Sequence, residues 1–172
     1  MPLAGPVRAG RPAALLLAAL SLAGPAAAQR APLPGTADGT VALSGKVKVP
    51  RTLNLADLQA MPAVTAEVPV TTAPGPRQTT YTGALLWPLL QDAGPVDERG
   101  RATQHQHVFM APGSDGHAVA VALGAIDLHL EGKQVLIAYA MDSRPLPAPC
   151  LVVPGDGHGG RAVRDLAAIE VR

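Results

Sequence analysis

Hydrophobic and polar residues alternate along several short stretches of this chain, and each stretch ends near a proline or a glycine. From Val41 to Val49 every second residue is apolar or glycine, and Pro50 follows. The stretch from Val64 to Thr72 alternates in the same way. A period of two is typical of strands with one buried face. We therefore expect two half-buried strands in the first part of the chain.

Two short helices are predicted beside these strands. Asn54 can cap a helix that runs through Met61, because an asparagine side chain accepts a hydrogen bond from a free N–H group of the first turn. A second helix begins near Leu86, which places Pro88 in the first turn, where proline is tolerated. Gly94 ends this helix, since glycine readily takes the left-handed conformation.

The rest of the chain predicts further strands, and residues 141–149 are expected to form a turn. The polar stretch 95–104 indicates a loop, GSDG joins a hairpin, and QVLIAYA is apolar on both faces, as in a central strand. The pattern predicts an α+β fold of mixed, mainly antiparallel sheets with short helices. The predicted segments are His107–Ala111, His117–Leu123, Ala125–Leu130 (a helical turn), Gln134–Ala140, Cys150–Val153 and a strand within 161–172.

The start of the chain has the layout of a secretory signal peptide. Arg8 and Arg11 precede an apolar run from Pro12 to Ala23, and a cleavage pattern of small residues ends at Ala28. The run is short for a spanning helix, which makes an uncleaved membrane anchor the weaker alternative. The predicted organisation is a signal peptide, a flexible leader and one domain, at 1–28, 29–39 and 40–172.

Charge and cysteine content exclude several classes of protein. The formal net charge of the whole chain is +1 and the charges are scattered, so we expect no nucleic-acid partner. Cys150 is the single cysteine, so an internal disulfide cannot form. Because Arg8 and Arg11 are not adjacent, the signal is of the Sec type. We expect a periplasmic or secreted protein with no membrane segment after cleavage.

Five segments carry, in order, a resemblance to a known family. They resemble the molybdopterin-binding domain of the sulfite oxidase family and span nearly all of the chain after the predicted signal peptide. The resemblance implies that family's α+β fold and a cleft for a pterin cofactor. The segments are LSGKVKVPRTLNLADLQAMP, YTGALLWPLLQDAG, SDGHAVAVALGAI, VLIAYAMDSRPLP and LVVPGDGHGGRAVRDLAAIEV.

The last of these segments also predicts an anion site. A buried strand that runs into a glycine-rich turn presents backbone N–H groups, and two arginines follow. The resemblance places this region against the pterin and its phosphate. The alternative is that the glycines only form a tight turn and the arginines are solvated or pair with nearby carboxylates. The candidate residues are Gly155, Asp156, His158, Arg161 and Arg164.

One departure from the family bears on function. The resembled enzymes bind molybdenum through a cysteine thiolate just after the second strand, where this chain has Thr71 and Thr72. A hydroxyl is a poor ligand for a soft metal. Cys150 lies in a different segment and is expected to be buried and inert. We therefore expect no catalytic residues and no cofactor; molybdopterin is the cofactor that the resemblance would imply.

His105 and His107 are a candidate metal pair. Two residues apart in an extended segment, they would face the same side, and histidine is a common ligand of zinc and copper. A third ligand could come from His117 or Asp115. The alternative is a pair of polar residues that leads into a strand, because a bare His-x-His pattern is common.

Three functions remain open at this point. The first is a non-catalytic exported domain that binds a small anionic ligand or a periplasmic protein partner. The second is a periplasmic molybdopterin-dependent oxidoreductase with an unusual metal site. The third is a metal-binding protein that uses His105 and His107. The fold does not choose among them, because function depends on the site.

Overall fold

The computed structural model of the chain describes residues 1, 39–96, 106–157 and 159–172. Within this part of the chain, nine strands form two sheets and three short helices pack beside them. The strands are β1 (Val41–Gly45), β2 (Arg51–Leu53), β3 (Ala63–Thr72), β4 (Gly75–Leu85), β5 (Val108–Pro112), β6 (Ala118–Ala122), β7 (Leu136–Met141), β8 (Arg144–Val152) and β9 (Ala168–Val171). The helices are α1 (Leu55–Gln59), α2 (Leu86–Ala93) and α3 (Leu123–Ile126).

The first sheet has five strands in the order β2-β1-β9-β5-β6. The pairing of β1 with β9 is parallel, and the other pairings in this sheet are antiparallel. The second sheet has four antiparallel strands in the order β3-β4-β7-β8. Mixed, mainly antiparallel sheets with short helices confirm the predicted α+β class.

A bulge interrupts the second sheet between β7 and β8. Ala138 pairs with Cys150, and Ala140 pairs with Pro145. Four residues of β8 therefore lie between these two pairs, but only one residue of β7. Leu146 to Pro149 have no register partner on β7. Prolines at 145, 147 and 149 suit such a segment, because a proline has no N–H group to donate to a neighbouring strand.

One hydrophobic core joins the two sheets and the helices. Phe109 of β5, Ile137 of β7 and Leu151 of β8 are fully buried in it, together with Leu86 and Leu90 of α2. A second, smaller cluster lies on the second sheet. Its buried members are Val68, Tyr81, Leu136, Ala138, Cys150 and Val152. One face of the second sheet thus belongs to the main core, and residues of a separate cluster line the other.

Both predicted helices are confirmed. Asn54 caps α1 through a reciprocal pair of hydrogen bonds with Asp57: the Asp57 N–H donates to Asn54 Oδ1 at 3.0 Å, and the Asn54 N–H donates to Asp57 Oδ2 at 2.8 Å. Helix α2 begins at Leu86, and Gly94 ends it with φ 63°. The hairpin of β5 and β6 and the interior position of β7 are also confirmed.

Other expectations about the strands and turns were wrong. Residues 141–149 were expected to turn, but only Asp142 and Ser143 form the turn, with φ 48° and 64°, and β8 begins at Arg144. The first strand ends at Gly45 rather than Val49. The helical turn lies at Leu123–Ile126, earlier than expected. We expected a turn over residues 141–149 because this segment is rich in proline. Local composition does not show that a bulge in a strand can accommodate the prolines.

The predicted signal peptide at 1–28 lies almost wholly outside the described residues, as does the leader up to residue 38. Every described strand and helix belongs to the unit Pro32–Arg172. No helix among the described residues has the length and apolar character needed to cross a membrane.

Candidate functional site

Residues 163–166 tie the two sheets together and fix the position of Arg164. The Leu151 N–H of β8 donates to Val163 O at 2.9 Å, and the Val163 N–H donates back to Leu151 O at 3.0 Å. On the other side, Leu166 forms a bridge with Gly113, next to the end of β5. Arg164 therefore lies between two backbone anchors, although its own side chain is exposed.

Two adjoining cavities lie beside this segment, and we call them together the cleft. The larger has a volume of about 280 Å³ and the smaller about 220 Å³. They share four lining residues, which are Val70, Tyr81, Cys150 and Arg164. The cleft is therefore a feature of the second sheet and of residues 159–165, with a size at the lower end of small-molecule sites.

The second sheet places the cleft residues through strand register. Tyr81 of β4 lies opposite Met141 of β7, and both line the larger cavity. Thr79 precedes Tyr81 by two positions, so its side chain is on the same face of β4. On β3, Val70 pairs with Arg77. The alternation of the strands therefore brings together residues that are distant in the sequence.

The bulge of β8 supplies one wall of the cleft. Leu146, Pro147 and Ala148, which lie in the bulge, line the larger cavity. Bulges commonly redirect side chains next to functional sites. Because these residues and Val70 are apolar, much of the cleft wall is apolar, with a few polar groups set into it.

The thiol and phenol groups of the cleft are neutral near neutral pH. Burial raises the pKa of Cys150 from 9.0 to about 11; the charge of Arg164 lowers it and that of Asp165 raises it, each by less than burial does. Burial also raises the pKa of Tyr81 above 10.0, and Arg164 again acts in the opposite direction. The guanidinium of Arg164 is therefore close enough to influence both groups.

A second arginine of the cleft is already paired. Arg77 donates a hydrogen bond to Asp142 Oδ2, and the Thr80 N–H donates to Asp142 Oδ1 at 3.0 Å. Asp142 also forms the tight turn between β7 and β8. The positive charge of Arg77 is thus balanced within the fold, whereas no ion-pair partner of Arg164 is found in the described part of the chain.

The predicted anion residues are only partly brought together. Arg161 donates to both carboxylate oxygens of Asp156, so this arginine takes the predicted alternative of pairing with a nearby carboxylate. Gly155 is exposed and has φ 88°, as expected in a turn. Arg164 lines the cleft. His158 lies outside the described residues, and the binding role of all five residues stays a prediction.

The expected place of the metal ligand holds hydroxyl groups. Thr71 and Thr72 end β3, and each lines one of the two cavities. The Thr72 hydroxyl donates to Gly75 O at 2.6 Å across the hairpin turn, so it is already engaged. Cys150 is the one thiol of the chain, and it lines both cavities as a neutral, buried group. The donor set therefore does not fit a soft metal, which prefers a thiolate.

The histidine pair stays a prediction, since His105 is outside the described residues. His107 is buried, and its ring nitrogens lie 3.0 Å from Arg172 O and 3.0 Å from Val96 O. Binding a metal would require His107 to release one of these carbonyls. The expected third ligand, His117 or Asp115, was wrong, because these residues lie at the turn of the β5–β6 hairpin and His107 lies at its open end.

Most cleft residues were not predicted from the sequence, among them Thr79, Tyr81, Asp142 and Leu146. For Thr79 and Tyr81 the sequence did contain a strand pattern. In QTTYTGAL they occupy every second position together with Gly83, and polar residues lie between them. We predicted the helix that begins near Leu86 but no strand before it, whereas β4 spans Gly75–Leu85. A strand directly before α2 would have placed the Tyr81 side chain on a sheet face.

Comparisons with known proteins agree with the architecture. A family model described as "Oxidoreductase molybdopterin binding domain" matches residues 30–172. The fold is similar to that of the sulfane dehydrogenase SoxCD from Paracoccus pantotrophus, with a TM-score of 0.63 and 18% identity over 79% of this chain and 38% of that chain. The match thus spans well under half of that larger chain, and no curated protein matches. Because the family match covers most of its length, this chain belongs to the oxidoreductase molybdopterin binding domain family.

Proposed function

We propose that this chain is an exported domain that binds a small ligand in the cleft of the molybdopterin-binding fold and carries out no molybdenum redox chemistry. The observation that carries the proposal is the donor set of the cleft. Thr71 and Thr72 stand where the family's thiolate is expected, and the one thiol, Cys150, has its pKa raised to about 11 by burial. A neutral thiol and hydroxyl groups hold molybdenum poorly.

Three further observations support a binding role without a pterin phosphate. Asp156 engages Arg161 in the glycine-rich loop, so this guanidinium is not free to receive a phosphate. Asp142 accepts a hydrogen bond from Arg77, which lines the larger cavity, so this guanidinium is also engaged. The Sec-type pattern of Arg8 and Arg11 supports export in an unfolded state, which would leave a bound cofactor behind.

Elemental analysis tests the proposal. The protein is purified from the export compartment of its native host without chelators, and its molybdenum content is measured per chain. We expect no stoichiometric molybdenum. One molybdenum per chain, together with a two-electron oxidoreductase activity, would overturn the proposal.

A second candidate function follows from the position of Cys150. Because this thiol lines the same cleft as Thr71 and Thr72, it could replace the family's ligand in an oxidoreductase if metal binding displaced its proton. This candidate predicts molybdenum in the native protein and none in a Cys150→Ser variant. A Thr71→Ala variant serves as the control, since it removes a cleft hydroxyl and leaves the thiol in place.

A further inference from the structure

We propose that the cleft selects small organic monoanions, with an apolar body against the second sheet and one carboxylate or sulfonate group on Arg164. This inference rests on the proposed function and adds the chemical class of the ligand to it. It differs from binding of a pterin phosphate, which carries a larger charge and would require more than one free cation.

The charge preference comes from Arg164. Among the described residues, its guanidinium has no ion-pair or hydrogen-bond partner, although it borders both cavities. The segment that carries it is anchored on both sides, by the pair of Val163 with Leu151 and the pair of Leu166 with Gly113. An anchored, unpaired guanidinium at the edge of an apolar cavity is suited to one planar anionic group.

The hydroxyl groups of two largely buried residues supply the second element of recognition. Thr79 is 6% exposed and Tyr81 is 8% exposed, and both line the larger cavity. No hydrogen bond to either hydroxyl occurs within the described chain. No buried side-chain nitrogen or oxygen atom of the described residues lacks a partner, so these two unpaired hydroxyl oxygens reach the cavity surface. There they can form hydrogen bonds with a polar atom of a ligand.

The remaining charges limit the ligand to one negative charge. Four charged side chains line the larger cavity, namely Arg77, Arg164, Asp142 and Asp165, and their formal charges cancel. Arg77 is already neutralised by Asp142. A single negative charge can pair with Arg164, whereas a second one would face Asp165 and Asp142 in a partly desolvated cleft.

Apolar residues define the part of the ligand that is not charged. The larger cavity is lined by the apolar residues Val70, Leu146 and Pro147. The first two are partly exposed and Pro147 is exposed, so a ligand that covers them removes apolar surface from water. The cavity volume of about 280 Å³ suits a compound of one or two rings or a short acyl chain.

Three naphthalene probes of nearly equal shape test the proposal by calorimetry on the full mature chain. Naphthalene sulfonate carries one charge, naphthalene sulfonamide is its neutral isostere, and naphthyl phosphate carries close to two charges at neutral pH. We expect the sulfonate to bind at least about tenfold tighter than either of the other two, which corresponds to about 1.4 kcal/mol.

Variants locate the binding in the cleft. Arg164→Gln should weaken sulfonate binding about tenfold and leave sulfonamide binding unchanged, because only the charge-assisted contact is lost. Arg51→Gln is the control, since it removes a partly exposed arginine on the other sheet and should change neither affinity. Thr79→Val keeps the side-chain shape and should weaken the binding of both probes.

The outcomes separate the two proposals. Equal binding of sulfonate and sulfonamide, or a sulfonate affinity that Arg164→Gln leaves unchanged, overturns the selection of anions but not the ligand-binding function. A phosphate probe that binds tighter than the sulfonate overturns the limit to one charge. Failure of all three probes to bind overturns both the selection and a ligand-binding cleft, while the molybdenum content is decided by the separate elemental analysis.

Discussion

Arg161 is held by Asp156 within the same glycine-rich loop, with its Nε 3.0 Å from Oδ1 and 2.9 Å from Oδ2. The carboxylate occupies the guanidinium from within the chain, five positions earlier in the sequence. The hydrogen bonds from Arg161 are the main reason that the pKa of Asp156 lies below its usual value of 3.8. The loop is therefore closed by its own ion pair.

An Asp156→Asn variant should lower the free energy of unfolding by about 0.5–1 kcal/mol at neutral pH, since the pair is only partly shielded from water. The pKa of Asp156 is lower in the folded protein than its usual value of 3.8. The stabilisation is therefore present above pH 3.8 and is lost as the pH falls through the pKa of the folded protein. Urea unfolding at neutral and acidic pH measures the difference.

Glu67→Gln is the control for this variant. Glu67 is exposed on β3, so its removal should change the free energy of unfolding by less than about 0.5 kcal/mol. A loss in Asp156→Asn that persists undiminished at low pH would contradict the assigned role of the ion pair.

Cys150 should make the protein less stable in alkali. Its pKa rises from 9.0 in the unfolded chain to about 11 in the fold, so the stabilisation is complete below 9.0 and is lost as the pH rises through about 11. The loss is about 3 kcal/mol. Tyr81, whose pKa is also raised by burial, acts in the same direction above 10.0.

A Cys150→Ala variant should therefore show a shallower decline of the unfolding free energy between pH 9.0 and about 11 than the unchanged protein. Chemical denaturation at several pH values in this window measures the slope. Identical slopes in the two proteins would show that the buried thiol is not the source.

We expect that no residue larger than glycine is tolerated at position 113. A Cβ atom at this position would lie 2.6 Å from Arg164 O and 2.9 Å from Val163 Cγ1, so the segment that carries Arg164 would have to move. Gly113→Ala should destabilise the fold by about 1–3 kcal/mol. Thermal unfolding followed by circular dichroism measures the change.

Gly157→Ala is the matched control, because no atom beyond its chain neighbours lies within 4 Å of the added Cβ. We expect a change of less than about 0.5 kcal/mol for this variant. If both variants had the same stability, the close approach of Gly113 to the Arg164 segment would not be a constraint of the native fold.

His107 should behave as a structural residue. It is 5% exposed and its ring nitrogens lie 3.0 Å from the carbonyl oxygens of Val96 and Arg172, so His107→Ala should lower the free energy of unfolding by about 1–3 kcal/mol. His117→Ala, at an exposed position, should change stability by less than about 0.5 kcal/mol. Zinc or copper binding is best tested with His105→Ala alone, which leaves the bonds of His107 in place.

The sequence predicted the elements whose ends carry a local signal. Asn54 and Gly94 mark the start of α1 and the end of α2 because caps act within a few residues. It did not predict β8, where the prolines at 145, 147 and 149 are accommodated by a bulge. Composition shows that proline breaks a regular ladder of backbone hydrogen bonds. It does not show that a bulge can interrupt such a ladder and that the strand then continues.

The cleft was harder to predict than the fold. Its residues come from β3, β4, β7, β8 and the chain at 159–165, and strand register together with the bridge of Val163 to Leu151 brings them together. Arg164 was a candidate because it lies in the last of the five segments that resemble the family, shortly after the glycine-rich turn. Thr79 and Tyr81 have no motif of their own, and the role of Cys150 as a cleft residue depends on its pairing with Ala138.

The prolines of β8 have a consequence for how the protein behaves at high concentration. A sheet margin with free N–H groups invites strands from other molecules, and aggregates often begin in this way. Pro145, Pro147 and Pro149 offer no such groups, and further along the strand Leu151 is already bonded to Val163. The wall of the cleft can therefore face solvent without acting as a template for intermolecular β-pairing.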